Sequence, residues 1–327
     1  MNNDIKLKRL EITRLFGYKD ICIDFKDVTV LVGKNGLGKT TILKILNSLL
    51  TIDNGCRELS LCGDAKITFS DSEKSAIKYE YTDDFLEEFK QAYNIITRKF
   101  KTNGKKINSK EFYEKIANRL LFLEENNDSL IRGISPKKIY ISESIDDFIK
   151  GCEIRYISTI NMSANALRDI TMSSGQDKNI LNWELMIELK ELAKEENFSY
   201  REKFIKQVSD LLKECNKRAE FDGDSFYARD FIRNAKINIE YLSSGERQLL
   251  YILSRVANTK DKPSFFLMDE PEISLHLNWQ EKLIPTIKKL NPRCQIIIVT
   301  HSPAIVMDGF MDCYVDMDDI STVRTDV

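Results

Sequence analysis

The segment Gly33-Lys34-Asn35-Gly36-Leu37-Gly38-Lys39-Thr40 constrains this chain more than any other. It fits the spacing GxxxxGK[ST] and stands between a short apolar run, VTVLV, and the segment TTILKILNSLL. The run suits a strand buried on both faces. In the segment that follows, Ile42, Leu43, Ile45, Leu46, Leu49 and Leu50 recur at helical spacing. Strand, glycine loop and helix in that order is the context the motif requires. Glycines let a backbone wrap close to phosphate and turn its N–H groups inward, and the helix start adds positive partial charge. The expected cradle comprises Gly33, Lys34, Asn35, Gly36, Gly38, Lys39, Thr40 and Thr41. Lys39 would reach the β- and γ-phosphates of ATP, and the Thr40 hydroxyl would ligand Mg²⁺.

A second apolar run, Phe265-Phe266-Leu267-Met268, ends in Asp269-Glu270. Many strands end in solvated acids, so this pair gains meaning only beside the glycine loop. There Asp269 would hold the Mg²⁺ and Glu270 would polarise the attacking water. A third segment, Leu242-Ser243-Ser244-Gly245-Glu246-Arg247-Gln248, precedes a helix with Leu249, Leu250 and Ile252 on its apolar face. It reads as a helix cap, with Ser244 as the cap residue and Arg247 where Glu or Gln is preferred. It also reads as a helix start that meets the γ-phosphate of another subunit's nucleotide through Ser243, Ser244, Gly245 and Glu246.

The chain has only two histidines. His301 follows the apolar strand QIIIVT, where open α/β sheets place their ligand chemistry. We expect it to sense the γ-phosphate and to partner Glu270. His276, in Ser-Leu-His, stays open between a surface position and a contact across a dimer.

Around these motifs the chain alternates. Residues 5–32 read as strands, KITFSD and AIKYEY as a hairpin, and 137–160 as strand segments. Between them, DDFLEEFKQAYNIITRKF and SKEFYEKIANRLLFLEE are amphipathic helices. A further helical pair covers about 180–195 and 200–219, and strand character resumes at KINIEY. The last part alternates helix and strand. The expected fold is α/β: a P-loop NTPase head with an inserted mostly helical lobe. Its boundaries fall at 1–81 for the first part of the head, 82–235 for the insertion and 236–327 for the second part.

Lys and Arg number 49 against 51 Asp and Glu, so bulk charge gives no reason to expect nucleic acid. A local run could still do so: Arg98, Lys99, Lys101, Lys105, Lys106 and Lys110 lie together without an acid. That run fits a phosphate-backbone grip or a solvated loop. Seven scattered cysteines, with no CxxC pair, read as reduced thiols of a cytoplasmic protein. No apolar stretch is long enough for a membrane span, and the first residues lack a signal-peptide pattern.

GKNGLGKT, LSSGERQ, FFLMDEPE, ISLHLNWQ and VTHSP occur in this order, and together they resemble the ABC ATPase superfamily. DEPE followed by SLH resembles the RecF/SMC branch, and within it the OLD-like and PtuA-like defence ATPases of Septu and retron systems. The resemblance covers roughly residues 5–80 and 236–310. It implies a head-to-tail homodimer with each ATP between the glycine loop of one copy and Ser243, Ser244 and Gly245 of the other. His276-Leu277 departs from the His-Pro common in OLD-like chains. No glutamine segment answers to the Q-loop, although residues 158–165 follow a strand.

OLD nucleases carry a nuclease domain after the ATPase, and the stretch after His301 is too short for one. A separately encoded effector, a nuclease or toxin, is therefore expected. The segment between Lys39 and Ser243 is too short for the long coiled coil of an SMC protein. The expected function is an ATP-driven switch in a prokaryotic, anti-phage defence complex. The alternative is a RecF-like DNA repair ATPase acting directly on DNA. A transporter ATPase and a nucleotide-gated scaffold are the remaining readings.

Overall fold

A computed structural model describes residues 5–81, 137–158, 169–171 and 177–324. The strands expected from residues 5–32 are β1 (Leu7–Leu15), β2 (Lys19–Asp24) and β3 (Val28–Val32). The glycine loop leads into α1 (Lys39–Thr51). Then come β4 (Ala65–Phe69) and β5 (Ala76–Tyr81), the expected hairpin, in antiparallel register with Ile67 opposite Ile77. After them lie β6 (Lys137–Ile141), α2 (Glu143–Gly151) and β7 (Glu153–Ser158). The short strands β8 (Asp169–Thr171) and β9 (Asp177–Asn179) pair with each other. They precede α3 (Ile180–Ala193) and α4 (Phe198–Leu212). Three further strands, β10 (Lys217–Asp222), β11 (Ser225–Asp230) and β12 (Ala235–Ile237), form a small antiparallel sheet. The chain continues through α5 (Ser244–Ala257), β13 (Ser264–Asp269), α6 (Leu277–Leu290) and β14 (Cys294–Val299). It closes with β15 (Tyr314–Asp316) and β16 (Ser321–Val323).

Two large sheets organise these elements. One is parallel, in the order β15-β3-β14-β13-β7, and the other is antiparallel, in the order β16-β2-β1-β4-β5-β6. Every residue of β3, β13 and β14 is buried. That burial is why their sequences are continuous apolar runs rather than alternating ones. Successive side chains of a strand point to opposite faces. Accordingly Phe266, Met268, Ile296 and Ile298 join one core with α3, α4, α5 and α6. Phe265, Leu267, Ile297 and Val299 join a second core with α1 and the antiparallel sheet. The apolar stripe of α1 thus lies between the two sheets, and this fixes where the glycine loop emerges.

Three details differ from the sequence reading. The segment between β6 and β7 holds a helix, α2, that anchors through Ile145 and Ile149, one turn apart. Its run of charges hid this two-residue stripe. The helix expected to 219 ends at Leu212, because Asn216 turns into the left-handed region at φ 56. Residues 217–230 are instead a hairpin with the tight loop Gly223-Asp224, Gly223 at φ 58. Lastly, β6 and β7, which the boundaries above place in the insertion, pair with β5 and β13 of the head. The two amphipathic segments between 82 and 136 and the basic run from 98 to 110 lie outside the described residues.

Candidate functional site

The C-terminal ends of β3, β14, β13 and β7 lie side by side. Asp269 is in register with Val299 of β14 and with Ser158 of β7, and Val299 with Leu31 of β3. Whatever follows each strand therefore meets at one edge of the sheet, the crevice where open parallel sheets bind ligands.

The glycine loop leaves β3 at this edge. Gly33, Gly36 and Gly38 have φ of 149°, 83° and 94°, a region that side chains disfavour. A Cβ on Gly38 would stand 2.8 Å from the Phe16 ring, which comes from the β1–β2 turn. Gly38 is also the N-cap of α1, with no side-chain cap and no acid in the first turn. The first amides of α1 are thus left for an anion rather than for the protein's own side chains. Lys39 is buried and its ammonium donates to the carbonyls of Gly33 at 2.8 Å and Lys34 at 3.0 Å. Burial lowers its pKa, opposed by the charges of Glu270, Asp269 and Glu272. Lys34, Asn35 and Gly36 are exposed at the loop's tip, and Thr40 and Thr41 are half-buried on the first turn.

Thr40 donates its hydroxyl to Asp269 at 2.9 Å. Asp269 is 2% exposed, and burial pushes its carboxyl above the ordinary carboxylate range despite the Thr40 hydrogen bond. A hydroxyl beside a buried carboxylate is a hard oxygen pair of the kind Mg²⁺ takes. The donors present and the uncapped α1 therefore fit a magnesium nucleotide.

Glu270 follows in the left-handed region at φ 51, unusual for a non-glycine residue. Its amide donates to Val299 at 2.7 Å. His301 Nε2 lies 3.4 Å from Glu270 Oε1, so the expected neighbours do meet. The His301 amide in turn donates to Glu272 at 2.8 Å. His276 is exposed at the N-cap of α6, edge-on to Trp279.

Residues 243–246 begin α5 elsewhere. Among the described residues, no hydrogen bond or ion pair joins them to residues 33–41. The cap lies one residue earlier than the sequence reading put it. Ser243 accepts from the Glu246 amide, and the Glu246 carboxylate accepts from the Ser243 amide. This is a complete capping box, with the preferred Glu at the third position instead of Arg247. The Glu246 side chain is buried and also pairs with Lys217 at 2.6 Å, so it faces inward. The amides of Ser244 and Gly245 stand outside the capping box.

Sequence reasoning missed four neighbours of the site. Phe16 covers Gly38, Ser158 flanks Asp269, Glu272 holds His301, and Gln248 donates to the Pro271 carbonyl. Glu272 lay inside DEPE, Gln248 inside LSSGERQ and Ser158 at the head of the segment 158–165, whereas Phe16 carried no local signal.

A strand–glycine loop–helix unit, a buried Asp at the next strand but one, and a Glu–His pair on the same sheet edge define a P-loop ATPase of the ABC head class. The chain belongs to the family described as AAA domain, putative AbiEii toxin, Type IV TA system, which matches residues 28–308. It is similar to Septu protein PtuA of Bacillus thuringiensis, 24% identical over 328 residues that cover 92% of this chain and 72% of that protein. A shorter stretch of 83 residues is 30% identical to Retron Ec83 probable ATPase of Escherichia coli, covering 22% of this chain and 15% of that one. Among solved structures, an SMC head bound to the C-winged helix domain of ScpA shares the fold. It aligns with a TM-score of 0.50 at 16% identity, over 97% of this chain and 96% of that one. Among the described residues, no helix is long and apolar enough to cross a membrane.

Proposed function

We propose that this protein is the ATP-binding and ATP-hydrolysing switch subunit of a prokaryotic, anti-phage defence complex. It closes as a homodimer around ATP and so controls a separately encoded effector. The observation that carries this reading is the separation within one chain of the two halves of the site. Lys39, Thr40, Asp269, Glu270 and His301 gather at one sheet edge, while Ser243, Ser244 and Gly245 open a different helix. A second copy supplies the missing half in a two-fold arrangement.

In this account the amides of residues 33–41 and the Lys39 ammonium bind the β- and γ-phosphates. Thr40 and Asp269 would hold Mg²⁺, which would supply positive charge against the phosphates. Glu270 accepts a proton from the attacking water, and His301 keeps the carboxylate oriented and meets the γ-phosphate. Glu246 organises the start of α5 from inside. The defence role rests on the similarity to Septu and retron-associated ATPases.

The test is a phage challenge of cells carrying the gene with its genomic neighbours, in parent and Lys39→Ala forms. Loss of protection in the variant is the expected result. Equal protection overturns the switch role. DNA-stimulated turnover without any effect on phage assigns the protein to DNA repair instead.

A further inference from the structure

The turn that carries Glu270 is strained at both ends and is held by α5, by α6 and by the chain at the end of β14. Glu270 and Ser274 are both in the left-handed region, at φ 51 and 71. Non-glycine residues stay there only when their surroundings over-determine them. Two of the restraints come from the end of β14 and the residues just after it: Val299 accepts from the Glu270 amide, and the His301 amide donates to Glu272.

From α6, the Gln280 carboxamide donates to the Leu275 carbonyl at 2.9 Å and the Glu272 carbonyl at 3.4 Å, toward the far end of the turn. Nearer Glu270 the restraints come from α5. The Gln248 carboxamide, on a side chain 2% exposed, donates to the Pro271 carbonyl at 2.8 Å. One turn earlier, Gly245 packs so closely that a Cβ there would overlap the Ser274 carbonyl oxygen. A buried carbonyl left without its donor carries a desolvation cost, so Pro271 is firmly tied to Gln248. The tie falls one residue beyond Glu270, on the peptide that joins Pro271 to Glu272.

We propose that Gln248 is the positioning residue of Glu270, acting through the Pro271 carbonyl. The same helix begins with Ser243, Ser244 and Gly245, so the segment expected to meet a partner's nucleotide also fixes the acid of its own chain. This rests on the reading of Glu270 as the group that polarises water.

The test compares three variants of the full chain. Gln248→Leu removes the donor and keeps the volume. It is expected to lower kcat by about tenfold or more, since small misplacements of a catalytic group are costly. ATP affinity, measured by equilibrium binding, stays within about threefold of the parent, because the Gln248 carboxamide donates to Pro271, outside the phosphate cradle.

Gln248→Glu decides the matter if the leucine variant fails to fold. A buried carboxyl is pushed toward its neutral form, and that form can donate to Pro271 where the ionised form cannot. Its kcat relative to the parent is therefore high at low pH and falls as pH rises. The proposal is overturned if Gln248→Leu keeps kcat within about twofold or loses affinity as steeply as turnover. It is also overturned if the Gln248→Glu ratio is flat with pH. Glu270→Gln is the control: if that variant turns over normally, the reading of Glu270 falls, whatever Gln248 does.

Discussion

The Thr40 hydroxyl donates to the Asp269 carboxylate at 2.9 Å, joining the first turn of α1 to the end of β13. That single hydrogen bond is modest compensation for a carboxylate that is 2% exposed and has Glu270 and Glu272 nearby. Burial is the main reason its pKa is raised. With the folded-state pKa above the unfolded one, the ionised form costs stability at neutral pH. The cost is absent below the unfolded value, near pH 4, and sets in as pH rises through the folded pKa. Asp269→Asn removes the charge while its amide oxygen still accepts from Thr40. We expect thermal melting of the nucleotide-free variant to show a gain on the order of 1–2 kcal/mol at pH 7. The gain vanishes in acid, and hydrolysis is lost.

A second prediction concerns the start of α5. Glu246 is 2% exposed and its charge is met by Lys217 of β10 at 2.6 Å. Lys217→Met leaves that carboxylate buried and unpaired. Chemical denaturation should show a loss of about 2–4 kcal/mol. Adding Glu246→Gln recovers part of the loss, because Gln still serves the third position of a capping box. Equal losses in the single and double variants would mean that the unpaired charge of Glu246 is not the source of the loss.

The main architecture was legible because its signals are local and physical. The run VTVLV read as a strand buried on both faces and FFLMD as an apolar strand ending in acids, and all residues of β3 and β13 are buried. The glycine spacing marked the loop, and the strand ends marked Asp269, Glu270 and His301. Other features depend on tertiary context that no local pattern carries. Phe16 reaches Gly38 from the β1–β2 turn, and Ser158 reaches Asp269 through sheet register. Gln248 reads as one more polar helix residue until its carbonyl partner is known. The hairpin at 217–230 did have a signal, Gly223-Asp224, but its charged strands masked the alternation of Ala219, Phe226 and Ala228. The cap shifted by one residue because Ser243 and Ser244 are adjacent and chemically alike.

A third prediction addresses the sharing of sites between chains. Lys39→Ala removes the phosphate ammonium, and Ser244→Arg blocks the start of α5. Each variant alone should be inactive. A mixed sample places one intact half-site from each chain together in the mixed dimers. Turnover should return to about a quarter of the parent value, since half the dimers are mixed and each holds one complete site. No recovery, when mixed dimers are shown to form, would count against shared sites.

The most direct test of the split ATP site is the solution mass of Glu270→Gln with and without Mg·ATP. Losing only the group that polarises water leaves nucleotide binding intact, so ATP should persist and hold two chains together. The account predicts a monomeric mass without nucleotide, a doubled mass with Mg·ATP, and no conversion to ADP. An unchanged mass despite bound ATP, or normal hydrolysis by this variant, would contradict it.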